Sequence, residues 1–281
     1  MKKLFLVFCQ LLFLFSAVFS ASPYVNDIKK LPEEKKAILF VSWNIQDFGR
    51  TKTANDFSYM TRFLQGADIV AIQEVTTSQF GAQAVAQLVG RLNNTGSKWD
   101  SYISDATHDS PSKERYAFLW KTSRIKMSSR SLIKDFSSNL EREPLRAQFL
   151  IDGWTFSIVT LHLVPTDKSP KTETDFLASQ AARLSSPQFI LAGDFNLSYE
   201  KIGPAFEKSL NVRHQIEGKT TLKNKIGAKG EHLLNEFDNI YTRDISVLRS
   251  GIMDSYLIFG SLVNAKKVSD HLPVFIVFKP Y

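Results

Sequence analysis

The sequence is nearly without cysteine. Its one thiol, Cys9, lies in an apolar run near the N-terminus. Past that run the chain has no means of forming a disulfide, a cysteine nucleophile or a thiolate-rich zinc site. Internal repeats and low-complexity tracts are also missing, so no repeat architecture is indicated. The one long apolar stretch, Leu4 to Phe19, is interrupted only by Cys9, Gln10 and Ser16. It falls short of the ~20 apolar residues that a membrane-spanning helix needs.

That stretch follows Lys2 and Lys3 and precedes Ser20, Ala21 and Ser22. Positive charge, apolar run and small residues, in that order, describe a secretory signal peptide. Val18 and Ser20 suit the two key positions of a cleavage site, with the cut after Ser20 or one residue later. The expected organisation is a signal peptide over 1–21, a polar lead-in with Pro23 and Pro32 over 22–36, and one domain over 37–281. Export without disulfides leaves stability to the core or to bound metal. The formal charge of +7 falls to +5 once Lys2 and Lys3 are removed. A basic balance of this kind suits a polyanion, because neutralised phosphates release counterions.

Buried strands are predicted at Ile38–Trp43, Ile69–Ile72 and Phe189–Ala192, where short β-prone apolar runs occur. Helical spacing predicts helices over 54–64, 82–92 and 175–184. Between them lie short strands at Ser101–Ile103, Tyr116–Lys121, Arg124–Leu132, Arg146–Ile151 and Thr155–Leu161, and later ones at Asn239–Tyr241 and Val274–Phe278. Mixed strands with a few helices imply an α/β fold, two sheets stacked face to face with helices flanking them.

Polar residues gather at the ends of these apolar runs. Asn44 follows Val41-Ser42-Trp43, Glu74 follows Ile69 to Gln73, and His162 follows Val159-Thr160-Leu161. Asp194 and Asn196 follow Leu191-Ala192-Gly193, and Asp270-His271 precedes Leu272-Pro273-Val274. Alone, each is compatible with a cap or a turn. As a set they suit a site held by a rigid sheet. Oxygen donors from Asn44, Glu74, Asp194 and Asp270 suit a hard cation such as magnesium, manganese or calcium. Two imidazoles can divide proton transfer at a phosphate. A carboxylate on each would fix its tautomer, with Glu114 and Asp238 as the candidates.

The segments Trp43-Asn44-Ile45-Gln46-Asp47-Phe48-Gly49, Ile72-Gln73-Glu74-Val75, Lys113-Glu114-Arg115-Tyr116, Arg142-Glu143-Pro144, Leu161 to Pro165, Gly193-Asp194-Phe195-Asn196, Phe237-Asp238-Asn239-Ile240 and Ser269 to Val274 resemble the endonuclease/exonuclease/phosphatase superfamily, and within it deoxyribonuclease I. They occur in the family's order and span Ala37 to Phe278. The resemblance implies a four-layer α/β/β/α fold and metal-dependent hydrolysis of DNA to 5′-phosphate ends. It gives His162 and His271 the catalytic pair, oriented by Glu114 and Asp238. Asn44, Glu74 and Asp270 fall at metal-site positions, and Asp194 and Asn196 at positions that bind metal, water or phosphate. Arg142 matches an arginine on the phosphate backbone, and the Arg115-Tyr116 segment belongs to the same substrate side. Magnesium or manganese, with calcium as a further ion, is the implied cofactor, DNA the partner, and a secreted monomer without stable membrane association the implied state.

The chain departs from the family's pattern at Gln46, Thr76 and Ser112, where deoxyribonuclease I carries DNA-contacting residues. Lys219, Lys223, Lys225 and Lys229 lie in a segment that reads as a flexible basic loop, either a substitute phosphate contact or merely a solvated face. Thr220 or Thr221 loosely matches a phosphate-binding threonine. Two other functions stay open. One is a phospholipid phosphodiesterase of the sphingomyelinase kind, for which Ile252 to Val263 would be the membrane-contacting stretch, although a buried strand or helix is the favoured explanation of that stretch. The other is a non-catalytic binding protein or toxin subunit on the same scaffold.

Overall fold

The computed structural model describes residues 36–108, 113–184 and 186–279. The proposed signal peptide, nearly all of the lead-in, and Ser112 lie outside the described residues. Residues 36–281 form one compact unit.

Two six-stranded sheets make the framework. The first contains β1 (Ile38–Phe48), β2 (Ile69–Thr76), β3 (Trp99–Ile103), β4 (Glu114–Lys121), β11 (Ser246–Ile252) and β12 (Val274–Lys279), in the order β11-β12-β1-β2-β4-β3. The second contains β5 (Ile125–Leu132), β6 (Leu145–Ile151), β7 (Trp154–His162), β8 (Phe189–Asp194), β9 (Arg213–His214) and β10 (Asp238–Arg243), in the order β5-β6-β7-β8-β10-β9. The helices are α1 (Ala54–Leu64), α2 (Gln79–Asn93), α3 (Pro170–Ser179), α4 (Ala181–Leu184), α5 (Tyr199–Ile202), α6 (Pro204–Leu210), α7 (Ser255–Phe259) and α8 (Leu262–Val268). Among the described residues no helix is long and apolar enough to cross a membrane.

Period-two alternation builds the layers. Ile38 and Phe40 of β1, Tyr116 and Phe118 of β4, Phe149 of β6, Ile158 of β7 and Ile276 of β12 meet in one core between the sheets. On the other face of the second sheet, Val159, Leu161, Leu191 and Tyr241 pack against Leu177 of α3, Phe206 of α6 and Leu210. On the other face of the first, the Trp43 indole sets its edge on Phe63 of α1 at 5.8 Å. The central strands are buried on both faces, so their sequences are nearly continuous apolar runs.

The expected α/β sandwich is thus the observed one, with local differences. β1 continues to Phe48, past the predicted strand end at Trp43, because it keeps pairing with β2 beyond a register shift after Asn44. The third predicted helix begins earlier, at Pro170, where proline suits a first turn. β11 went unpredicted: it is an edge strand, and its polar, half-exposed residues carry little apolar signal. The Ile252–Val263 stretch ends β11 and forms α7 and the start of α8. Its Met253 and Leu262 are buried, whereas Leu257 and Val263 are exposed.

Gly193 adopts φ 145°, and a Cβ there would stand 2.0 Å from the Leu161 carbonyl oxygen of the paired strand. Backbone cannot yield as a side-chain tip can. Gly193→Ala is therefore expected to destabilise the domain by about 3 kcal/mol. That corresponds to a melting temperature roughly 6–12 °C lower, measurable by calorimetry. An unchanged transition would refute the close approach.

Candidate active site

Strand direction places the polar residues on one edge of the sandwich. β1 runs parallel to β2, and β7 parallel to β8. Their C-terminal ends supply Asn44, Glu74, His162 and Asp194. β4, β10 and β12 run antiparallel to these neighbours. Glu114 and Asp238 therefore enter at the starts of β4 and β10, and Asp270-His271 just before β12. Register completes the alignment: His162 pairs with Asp194, and Asp194 with Asp238.

Two imidazole–carboxylate pairs face each other across Asp194. His162 Nδ1 lies 2.9 Å from Glu114 Oε2, and His271 Nδ1 lies 2.8 Å from Asp238 Oδ2. Each Nε2 is then 3.5 Å from the same atom, Asp194 Oδ2. Burial alone would lower both imidazole pKa values. The facing carboxylates outweigh it, Glu114 raising His162 and Asp238 with Asp194 raising His271 well above the usual value. Burial pushes the Asp238 carboxyl up to about 6, against the pull of His271. Both shifts favour keeping the proton that Asp238 and His271 share. Thr220 steadies that pair: its hydroxyl donates to Asp238 Oδ2 at 2.7 Å and accepts from the Asp238 amide at 2.9 Å.

Beside the histidines, the Asn44 amide donates to Glu74 Oε1 at 2.9 Å and to Asp194 Oδ2 at 3.0 Å. Its own Oδ1 is buried with no hydrogen-bond partner among the described residues. Glu74 sits at φ 60°, where the register between β2 and β4 shifts, and its Oε2 accepts from the Asp47 amide at 3.1 Å. A non-glycine residue held there is strained by about 1–3 kcal/mol, a feature that concentrates at functional sites. Nδ2 is the atom that faces the two carboxylates, so with the side-chain amide turned over, its oxygen would join Glu74 and Asp194 in the donor set of a hard divalent ion. Asp194, Asp238 and His271 also bring one ligand atom each within 4.8 Å of one another. There, however, the Asp238 oxygen and His271 Nδ1 are already joined by a hydrogen bond, so the Asn44–Glu74 side is the better seat. Asp270 stands further out, its Oδ2 3.4 Å from Gln46 Nε2.

The remaining expected residues are placed differently. Asn196, at φ 49°, donates its amide N–H to Asp194 Oδ1 at 2.8 Å and its Nδ2 to the Leu163 carbonyl at 3.0 Å. Arg142 is only 6% exposed. Its Nε donates to the His162 carbonyl at 2.9 Å and its Nη2 to the Leu163 carbonyl, with Glu114 Oε2 4.0 Å from Nη1. Tyr116 is fully buried in the core between the sheets. Both side chains are thus buried, Arg142 against the carbonyls at the end of β7 and Tyr116 between the sheets. Arg115, half-buried, alternates to the face of β4 opposite Glu114.

Other supports gave no sequence signal of their own. The Ser269 hydroxyl donates to the Asn44 carbonyl at 2.7 Å and accepts from the His271 amide at 3.0 Å. The Trp43 indole donates to the His271 carbonyl at 3.0 Å. Glu173 of α3 accepts from the Glu141 and Val164 amides at 2.9 and 2.8 Å. It clamps the loops that carry Arg142 and follow His162.

Residues 41–271 match the model of the endonuclease/exonuclease/phosphatase family. The chain belongs to this family. Within it the chain is deoxyribonuclease I-like. It is 28% identical to a deoxyribonuclease of Thioalkalivibrio sp. (strain K90mix), over 85% of this chain and 70% of that one. It is 25% identical to deoxyribonuclease-1 of Oryctolagus cuniculus, over 85% and 91%. Among solved structures, Danio rerio (D. rerio) TDP2 complexed with single strand DNA product superposes with a TM-score of 0.64 at 18% identity, over 87% of this chain and all of that one (100%). A mannosyl-6-phosphatase of Bacteroides thetaiotaomicron superposes with 0.61 at 14% identity, over 86% and 99%. The fold thus serves more than one phosphate ester, and substrate has to be argued from the site.

Proposed function

We propose that this protein is a secreted, divalent-metal-dependent endonuclease that hydrolyses phosphodiester bonds in DNA and leaves 5′-phosphate ends. The observation that carries the reading is the convergence of both imidazoles on Asp194 Oδ2, each 3.5 Å away and each backed by its own carboxylate. Relatives named as deoxyribonucleases support DNA as the substrate.

In this mechanism the scissile phosphate lies between the two Nε2 atoms. One imidazole accepts a proton from water as its oxygen attacks phosphorus. The P–O3′ bond breaks, and the other imidazole protonates the leaving O3′, giving a 3′-hydroxyl and a 5′-phosphate. Glu114 and Asp238 hold the ring tautomers and stabilise imidazolium. Asp194 keeps both rings aimed at one point. Asn44 and Glu74, with Asp270 further out, would hold magnesium or manganese, which would supply positive charge to the phosphate. Arg142 is a positioning residue, locking the His162 end of β7 through two carbonyls.

Supercoiled plasmid incubated with the protein and magnesium is expected to pass through nicked to linear forms. The new ends should accept kinase labelling at the 5′ position only after phosphatase treatment. An intact plasmid with magnesium, manganese or calcium present would end the nuclease reading. The secretion part has its own check: the mature N-terminus recovered from medium should begin within a residue of Ala21.

A further inference from the structure

Residues 219–236, of which 219–232 read from the sequence as a flexible basic loop, fold as an ordered hairpin rooted in the catalytic edge. Thr221 bridges to His271 and Leu222 to Leu233. The Leu222 amide donates to the Asp270 carbonyl at 2.8 Å, and the Leu272 amide to the Thr220 carbonyl at 2.7 Å. Further out, the Lys223 amide donates to the His232 carbonyl at 2.7 Å and the Gly227 amide to the Glu231 carbonyl at 2.8 Å. The hairpin has an apolar base of its own, where Leu222 packs with Leu262, Ala265 and Leu272 and draws in Leu233 and Tyr256. His232 pins one arm, its Nε2 2.6 Å from Asp254 Oδ2 and its ring 4.3 Å from that of Tyr256.

This rigid platform presents lysine. Lys225 and Lys229 are exposed on its outer part, and their ammonium groups make no hydrogen bond or ion pair among the described residues. The Lys266 ammonium of α8 reaches Asn224 of the hairpin. The exposed Lys267 follows, and its carbonyl accepts from the Lys52 ammonium at 3.4 Å. Lys52, Lys266 and Lys267 line an open cleft of about 760 Å³ that reaches Gln46 and Asp47. The histidine pair does not line this cleft, which reaches toward the site through Gln46, the partner of Asp270. Lys266 links the cleft to the hairpin through Asn224.

We propose that the 219–236 hairpin and the lysines of α8 form an accessory surface that grips the phosphates of duplex DNA beyond the scissile bond. This rests on the nuclease reading above. Lysine contacts to phosphate carry affinity without sequence information. Held on an ordered hairpin, they bind without first ordering a loop.

The test compares full-length protein with a Lys225→Gln/Lys229→Gln/Lys267→Gln variant and with the corresponding triple arginine variant. The readouts are KM and kcat on a duplex of defined length across a sodium chloride series. Each phosphate contact contributes about 0.9 to the slope of log affinity against log salt. The glutamine variant should therefore lose roughly 2–3 units of slope and show KM raised about tenfold near physiological salt. kcat should change far less than KM, and the arginine variant should keep the wild-type slope. A purely structural role would move the melting temperature instead. If the wild type cuts DNA and the glutamine variant keeps its KM and slope, the accessory surface is refuted and the nuclease reading stands. If the wild type cuts no nucleic acid, both fall.

Discussion

His271→Ala is expected to lower kcat for DNA cleavage by roughly a thousandfold, and His162→Ala by a similar factor. Each ring stands 3.5 Å from Asp194 Oδ2 with its far nitrogen fixed by a carboxylate, so water cannot replace it at the same place. The two substitutions should combine far less than multiplicatively, because a reaction that has lost one proton transfer gains little from the other. The folded state is a separate matter. Removing His271 leaves Asp238 buried with Thr220 as its remaining side-chain partner. A carboxyl already pushed up to about 6 by burial protonates readily once its imidazolium is gone. The destabilisation should then stay near 1–3 kcal/mol, leaving a cooperative melt by circular dichroism. Wild-type turnover in both single variants would dismiss the pair as catalytic.

Binding of magnesium or manganese should raise the melting temperature of the wild type, and Glu74→Ala should remove most of that rise. Activity of the variant should fall at least about a hundredfold. The reasoning is electrostatic and local. Glu74 and Asp194 converge on one Asn44 amide, and the Asn44 Oδ1 beside them has no hydrogen-bond partner among the described residues. A cation relieves the repulsion of the carboxylates and satisfies the orphaned oxygen together. At a hundredfold excess over its Kd, an ion bound only by the folded state adds about 2.7 kcal/mol. For a domain of this size that is roughly 5–10 °C. Glu74→Ala removes a ligand without disturbing the sandwich core, since Glu74 follows the buried run of β2 rather than belonging to it. Identical thermal responses to the ion in wild type and variant would mean that the ion sits elsewhere.

Much of the fold and of the site was legible in the sequence for one reason. Strands buried on both faces are written as continuous apolar runs, and the polar residue that ends each run marks the sheet edge. Asn44, Glu74, His162, Asp194 and His271 were all found this way, and parallel or antiparallel register then brought them together. Contacts fixed by distant residues were not legible. Arg-Glu-Pro at 142–144 reads the same whether its arginine faces solvent or, as here, the carbonyls at the end of β7. The lysine-rich segment reads as a loop because the side chains that order it, Leu262, Ala265 and Leu272, come about forty to fifty residues after Leu222. Edge strand β11 and the short helices lack the apolar period that would announce them.

Crystals soaked with manganese and a 5′-phosphorylated dinucleotide offer the most direct check, because anomalous scattering locates the ion without ambiguity. One manganese peak is expected against Asn44 Oδ1 and Glu74, with the phosphate seated between the Nε2 atoms of His162 and His271. A peak on the His232–Asp254 pair, or a phosphate bound away from both imidazoles, would contradict a single site for ion and proton transfer.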